Sequence, residues 1–203
     1  GIRTVTMLGC HDGIPLLDLK GLLPEEQIEK LIQAVVSRGG LVKDLHGQKN
    51  VYYQVNATYF SALGEDERKM LLARALHLFM PGKPQVWYLD LFAGRNDLAA
   101  VQGAGAAGHK EINRTNLSRA QAEEALQRPV VRDQLTLLRF RNTCPAFGFD
   151  AQMEITQPKS NMLCIRWIHQ GCSAFLTANL STFAFTVSST DVAGIKNCVY
   201  QQV

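Results

Sequence analysis

The sequence is short of the features that mark several large classes of protein. No apolar run approaches the ~18 residues of a membrane-spanning helix, and no secretory leader opens the chain, so no membrane partner is expected. There is no run of Lys or Arg and no interleaving of basic with aromatic residues. With a formal charge of only +3, the electrostatic footprint of a nucleic-acid binder is missing. The five cysteines (Cys10, Cys144, Cys164, Cys172 and Cys198) are odd in number and nowhere spaced as Cys-x-x-Cys. A zinc site therefore lacks its signature, no metal or cofactor is expected, and the thiols read as free in a reducing cytoplasm. The glycine-rich run 103–108 lacks the context and spacing of a phosphate-binding loop and reads as a flexible connection. An initiator Met is also missing. The chain opens in mid-strand and reads as a piece of a longer protein.

What is present suits an ordinary globular protein: 46% hydrophobic and 19% charged residues over 203 positions, enough for a sizeable core. The organising stretch is 1–20. A β-rich apolar run with Thr4, Val5, Thr6, Met7 and Leu8 ends in Gly9-Cys10-His11-Asp12-Gly13. Titratable groups followed by a glycine turn are what a parallel β/α barrel carries at the active-site end of a strand.

Beyond a Leu-rich loop, Pro24 and the acidic Glu25 and Glu26 start a helix with Ile28, Leu31, Ile32 and Val35 on one face, stopped by Gly39-Gly40. Residues 41–50 read as a polar loop. Residues 51–63 are dense in aromatics and amides and alternate poorly, so they read as a long active-site loop suited to sugars. A broadly apolar helix covers 65–79, in which His77 reads as packing. Pro81 and Pro84 stop it, and 85–89 read as a buried strand. A polar cluster, His109 to Arg114, precedes a short helix with the capping pair Ser118 and Gln121. A helix over 130–141 follows. After Pro145 the chain turns to short β-type runs at 153–155, 162–168, 173–178 and 183–187, while 188–203 show no clear pattern. The expected fold class is α/β, with a βα segment over 1–145 and a small antiparallel β domain over 146–203.

Five motifs in order resemble the C-terminal part of sucrose phosphorylase and its close relatives, in the α-amylase superfamily. They are Gly9-Cys10-His11-Asp12-Gly13-Ile14, the stretch from Tyr53-Gln54-Val55-Asn56 to Gly64, that from Pro81 to Tyr88, Ala93-Gly94-Arg95-Asn96-Asp97, and Glu111-Ile112-Asn113-Arg114. The resemblance implies that 1–145 are the C-terminal part of a (β/α)8 TIM barrel, with strand seven at 4–10 and strand eight at 85–89. It implies a retaining double displacement through a covalent glucosyl-enzyme, in which inorganic phosphate attacks and α-glucose 1-phosphate leaves. The family's nucleophilic Asp and acid/base Glu would lie upstream of residue 1. Asp12 matches its third carboxylate, which supports the oxocarbenium-like transition state, and His11 the sugar-binding histidine beside it. Tyr53 and Gln54 match the loop that shapes the acceptor and phosphate site. Lys110, where the family usually has an Arg that clamps glucose, and Arg114 match substrate-binding positions.

The family typically has an Asp in the dipeptide before Tyr-Gln, where this chain has Val51-Tyr52. That moves the expectation from fructose towards a sucrose phosphate, glycerate or glycerol on the acceptor side. The implied partners are sucrose or a related α-glucoside, inorganic phosphate and the N-terminal barrel portion. The alternatives are a hydrolase or transglucosidase of the same superfamily, or a catalytically inactive sugar-binding fragment.

Overall fold

The computed structural model describes residues 4–44 and 52–203. In chain order the strands and helices are β1 (Val5–Thr6), β2 (Ile14–Pro15), α1 (Glu25–Val36), β3 (Leu41–Asp44), β4 (Tyr52–Asn56), α2 (Tyr59–Ala62), α3 (Glu67–Phe79), β5 (Lys83–Pro84), α4 (Tyr88–Leu91), α5 (Leu98–Ala104), α6 (Arg119–Ala125), α7 (Pro129–Thr143), β6 (Gln152–Lys159), β7 (Met162–His169), β8 (Cys172–Asn179), β9 (Phe185–Thr190) and β10 (Lys196–Gln202). They gather into two compact units, one of residues 1–6, 71–85 and 129–203, the other of 7–70 and 86–128.

In the first unit β1 and β5 pair in parallel, Val5 opposite Lys83 and Thr6 opposite Pro84. The backbone N–H groups of Lys83 and Gln85 donate to Thr4 O and Thr6 O, both at 2.8 Å. Pro84 stands between these two donors, where its nitrogen faces away from β1, so its missing N–H costs the pair no hydrogen bond. Gly82, at φ +101°, lets the chain pass Thr4 where a β-carbon would overlap its carbonyl. The barrel-type parallel pair expected from the sequence is therefore present, but the bounds of both strands are corrected. The first strand, expected at 4–10, is confined to Val5–Thr6; the second lies at 83–84 and not at 85–89, and Tyr88 and Leu89 of that expected strand fall in the helical turn α4. A five-residue apolar run carries no period that separates the two.

The C-terminal strands form one antiparallel sheet in the order β10-β9-β8-β7-β6. Its buried side carries Ile165, Trp167, Leu176, Phe185 and Val187. The patternless tail supplies the fifth strand, β10, which pairs with β9 through a bulge between Cys198 and Tyr200. The bulge interrupts the period-2 alternation by which strands are read from sequence. Tyr200 donates its hydroxyl to Asp133 Oδ2 on α7 at 3.0 Å. An aromatic cluster of Phe79, Phe140, Phe147 and Trp167 closes the core, and the Arg141 guanidinium lies 4.1 Å over the Phe147 ring.

The C-terminal half of α3 is buried nearly all round, so it also buries Arg74 and His77. Arg74 donates Nε to Gln134 Oε1 at 2.9 Å, and its Nη1 lies 3.0 Å from His77 Nδ1. A guanidinium only donates, so His77 accepts at Nδ1 and carries its proton on Nε2, donated to Thr6 O at 2.8 Å. The imidazole ties α3 to β1, which is the packing role expected of it. Burial chiefly, then the charges of Arg74 and Arg141, lower its pKa, against the hydrogen bond to Thr6. The unfolded chain then binds a proton below about pH 6.5 that the folded chain refuses, so this contribution to stability is full above that pH and is lost as pH falls. The melting temperature is expected to drop between pH 7.5 and 5.5, with a shallower drop in His77→Gln. Equal slopes in calorimetry would remove His77 as the cause.

In the second unit β2, β4 and β3 form an antiparallel sheet in the order β2-β4-β3. α1 forms as expected, with Ile28 and Ile32 packed on Leu16 and Val55. Leu31, expected on that face, is 47% exposed. Two loop readings are corrected. Residues 41–44 are the strand β3, and 52–56, read as a long active-site loop, are the strand β4 followed by α2. Residues 54–58 are all buried, so the period-2 pattern of a one-sided strand is absent. The remainder of the stretch, 45–51, lies outside the described residues. The glycine-rich run expected as a flexible loop is helical, at the end of α5 and in a 3-10 segment over Gly105–Asn113. The capping box of Ser118 and Gln121 at α6 is present. Among the described residues no helix is long and apolar enough to cross a membrane.

Candidate functional site

The acidic turn forms as its sequence dictates. Cys10 and Gly13 close it with two backbone hydrogen bonds, Gly13 N–H to Cys10 O at 2.9 Å and Cys10 N–H to Gly13 O at 3.3 Å. Gly13 has φ +102°, and a β-carbon there would overlap the Val55 carbonyl oxygen. Only glycine meets both demands at low cost. It lets the chain enter β2, where Ile14 pairs with Val55 of β4. The two residues inside the turn, His11 and Asp12, are thereby presented outward.

Asp12 is the electrostatic centre. Its Oδ1 accepts from Lys110 Nζ at 2.6 Å and Arg114 Nη2 at 3.1 Å, and its Oδ2 lies 3.2 Å from His11 Nε2. The hydrogen bond from the Lys110 ammonium holds the carboxyl below its ordinary value; burial opposes this, and the charges of Lys110, His11 and Arg114 reinforce it. Asp12 is accordingly an anion throughout the neutral range. Its side chain remains 38% exposed, so the carboxylate is both charged and reachable. The 3-10 segment Gly105–Asn113 delivers the cation Lys110, and Arg114 directly follows it. Arg114 also pairs with Glu111 at 3.4 Å. The His11 ring stands 5.8 Å from that of Trp87, an aromatic face beside the charged groups.

Four of the six residues singled out from the sequence, His11, Asp12, Lys110 and Arg114, are thus in direct contact across about a hundred positions of chain. Gln54 is not among them. It is only 4% exposed on β4, and its Nε2 finds no hydrogen-bond partner among the described residues. Tyr53 belongs to β4 by its backbone. Three residues at the site were missed. They are Trp87, and Asn56 and Asn113, which donate Nδ2 to Asp12 O at 2.8 Å and to Cys10 O at 2.5 Å. Both asparagines stand inside motifs noted in the sequence, but an Asn carries no signal of which backbone it will serve. Among the described residues no group of three or more His, Cys, Asp or Glu is gathered as metal ligands would be.

A parallel strand pair joined through helices, an acidic turn after its first strand and a following antiparallel sheet define the C-terminal part of a (β/α)8 barrel with a small β domain. The comparisons with known proteins agree. The chain is 54% identical over 196 residues to a sucrose 6(F)-phosphate phosphorylase of Ilumatobacter coccineus, an alignment covering 92% of this chain and 37% of that protein. It is 33% identical over 194 residues to a sucrose phosphorylase of Bifidobacterium adolescentis, covering 86% and 36% respectively. The crystal structure of a sucrose 6F-phosphate phosphorylase from Thermoanaerobacter thermosaccharolyticum matches 99% of this chain and 40% of its own, at a TM-score of 0.91 and 35% identity. No protein-family model matches. The chain belongs to the sucrose phosphorylase-like proteins and corresponds to their C-terminal portion. It spans less than half the length of these curated relatives.

Proposed function

We propose that this chain is part of a retaining glycoside phosphorylase that transfers glucose from sucrose, or from its 6(F)-phosphate, to inorganic phosphate, giving α-glucose 1-phosphate. In this reading 1–145 are the C-terminal part of the catalytic barrel, 146–203 are its β domain, and the whole protein works in the cytoplasm. The observation that carries the reading is the Asp12 carboxylate, ionised, half-open and drawn together with His11, Lys110 and Arg114. A retaining mechanism passes through a ring with oxocarbenium character. Hydrogen bonds from sugar hydroxyls to an anionic carboxylate strengthen as that positive charge builds, so they favour the transition state over the bound sugar. His11 would donate to a neighbouring hydroxyl, with Trp87 as a wall. Lys110 and Arg114 would keep the carboxylate ionised and aimed, and would bind substrate hydroxyls from the same positions. The phosphate form of the donor is favoured by the 54% identical relative, named for sucrose 6(F)-phosphate.

The nucleophile and the acid/base are proposed to lie outside these 203 residues, in the N-terminal barrel portion that the chain would pair with. The 203-residue chain, incubated with sucrose or sucrose 6(F)-phosphate and inorganic phosphate, is then expected to release no glucose 1-phosphate, whereas the whole protein releases it. Phosphate-dependent release from the pure chain would overturn the assignment of the missing groups. Free glucose from the whole protein, without need of phosphate, would replace the phosphorylase with a hydrolase of the same fold.

A further inference from the structure

The turn that presents Asp12 is held by its own carbonyl oxygens. Three consecutive ones each accept a side-chain donor from a distant part of the chain. Cys10 O takes Asn113 Nδ2 at 2.5 Å, His11 O takes Arg114 Nε at 3.1 Å, and Asp12 O takes Asn56 Nδ2 at 2.8 Å. The two asparagines are 0% and 1% exposed. A carbonyl oxygen only accepts, so the amide atom facing it must be the nitrogen. That choice leaves Oδ1 of both asparagines buried with no hydrogen-bond partner among the described residues. Burying an acceptor in this way is unfavourable. Each amide is therefore held by the carbonyl it serves, not by a balanced network of its own.

We propose that Asn56 and Asn113 are positioning residues for Asp12, fixing the peptide planes of residues 10–12 and with them the origin and direction of the carboxylate. Neither needs to touch a sugar. With the carbonyls of Cys10 and Asp12 pinned, and that of His11 held between them, the planes cannot rotate without breaking one of these hydrogen bonds. The Asp12 side chain then leaves the backbone in one direction, towards Lys110 and Arg114. Two different segments share the task, since Asn56 ends β4 while Asn113 ends the 3-10 segment that carries Lys110. An Asp at either position would set acceptor against acceptor, and a Leu would fill the volume without donating. The catalytic consequence rests on the role given to Asp12 above; the geometric one does not.

The test reads Asp12 directly. The chain is labelled with carboxyl-13C aspartate, and the Asp12 resonance is assigned as the one absent from Asp12→Asn. The charged groups around this carboxylate are Lys110, Arg114 and His11, with Glu111 behind Arg114. In the native chain the carboxyl should titrate below the usual carboxylate range. In Asn56→Leu and in Asn113→Leu the midpoint should rise by about half a pH unit, as the ion pairs slacken. In the whole protein each variant should lower kcat for glucosyl transfer about tenfold while KM for phosphate stays within about twofold. Where a Leu variant does not fold, Asn→Ser at the same position, too short to reach the carbonyl, gives the same readout. Unmoved Asp12 midpoints in folded variants at both positions would overturn the proposal. A shifted midpoint alongside an Asp12→Asn protein of undiminished turnover would uphold the positioning and sink the functional reading instead.

Discussion

Asp12→Asn, made in the whole protein, is expected to lower the rate of glucose 1-phosphate formation by about 10²–10³-fold. The replacement has nearly the same shape and keeps one acceptor oxygen, so a loss reports the charge and the second acceptor and not a change of volume. Two effects act in the same direction. A neutral amide accepts sugar hydroxyls without the strengthening that an anion gives as positive charge builds on the ring. The ammonium of Lys110 and the guanidinium of Arg114, now 2.6 and 3.1 Å from Asp12 Oδ1, would also lose their counter-ion beside that developing charge. Stability should change little, because the Asp12 side chain is more than a third exposed and open ion pairs contribute little to folding. KM for phosphate should hold within about twofold, since uniform binding is not what is removed. Initial rates of glucose 1-phosphate release, with melting curves alongside, decide the matter. A loss of under threefold would take Asp12 out of the catalytic machinery.

Phe79→Ala is expected to cost about 3–5 kcal/mol of folding stability. Phe79 is 2% exposed. Its ring meets Phe147 edge-on at 5.3 Å and stacks near Phe140 at 6.5 Å. Its carbonyl oxygen accepts from Trp167 Nε1 at 2.9 Å. Truncation removes both the transfer free energy of the ring and the edge-to-face contacts, and leaves a void whose walls are rigid rings unable to collapse into it. The melting temperature should fall by roughly 10 °C for a chain of this size. Leu22→Ala, at a residue 77% exposed, should stay within about 0.5 kcal/mol of native. A Phe79→Ala protein as stable as that control would show that the aromatic cluster contributes nothing.

Local chemistry was legible wherever it is decided by neighbours along the chain. Pro24 with Glu25 and Glu26, the buried Ile28 and Ile32 of α1, the Ser118–Gln121 box and the start of α7 at Pro129 all formed as read. So did the turn, because a glycine able to take φ +102° stands where the backbone must pass Val55. The motif order identified His11, Asp12, Lys110 and Arg114, and the fold joins them directly.

The sequence by itself determined the helices α1, α3, α6 and α7, the acidic turn and the family, because capping groups, glycine conformation and contiguous motifs act over a few residues. Tertiary structure alone decided that 52–56 form a strand, that 88–91 form a helical turn and that the tail supplies a fifth strand. In each case burial on both faces, shortness or a bulge had erased the period. It alone decided, too, that Asn56 and Asn113 spend their donors on the carbonyls of the Asp12 turn. An amide can serve any carbonyl within reach, and only the folded chain settles which one that is.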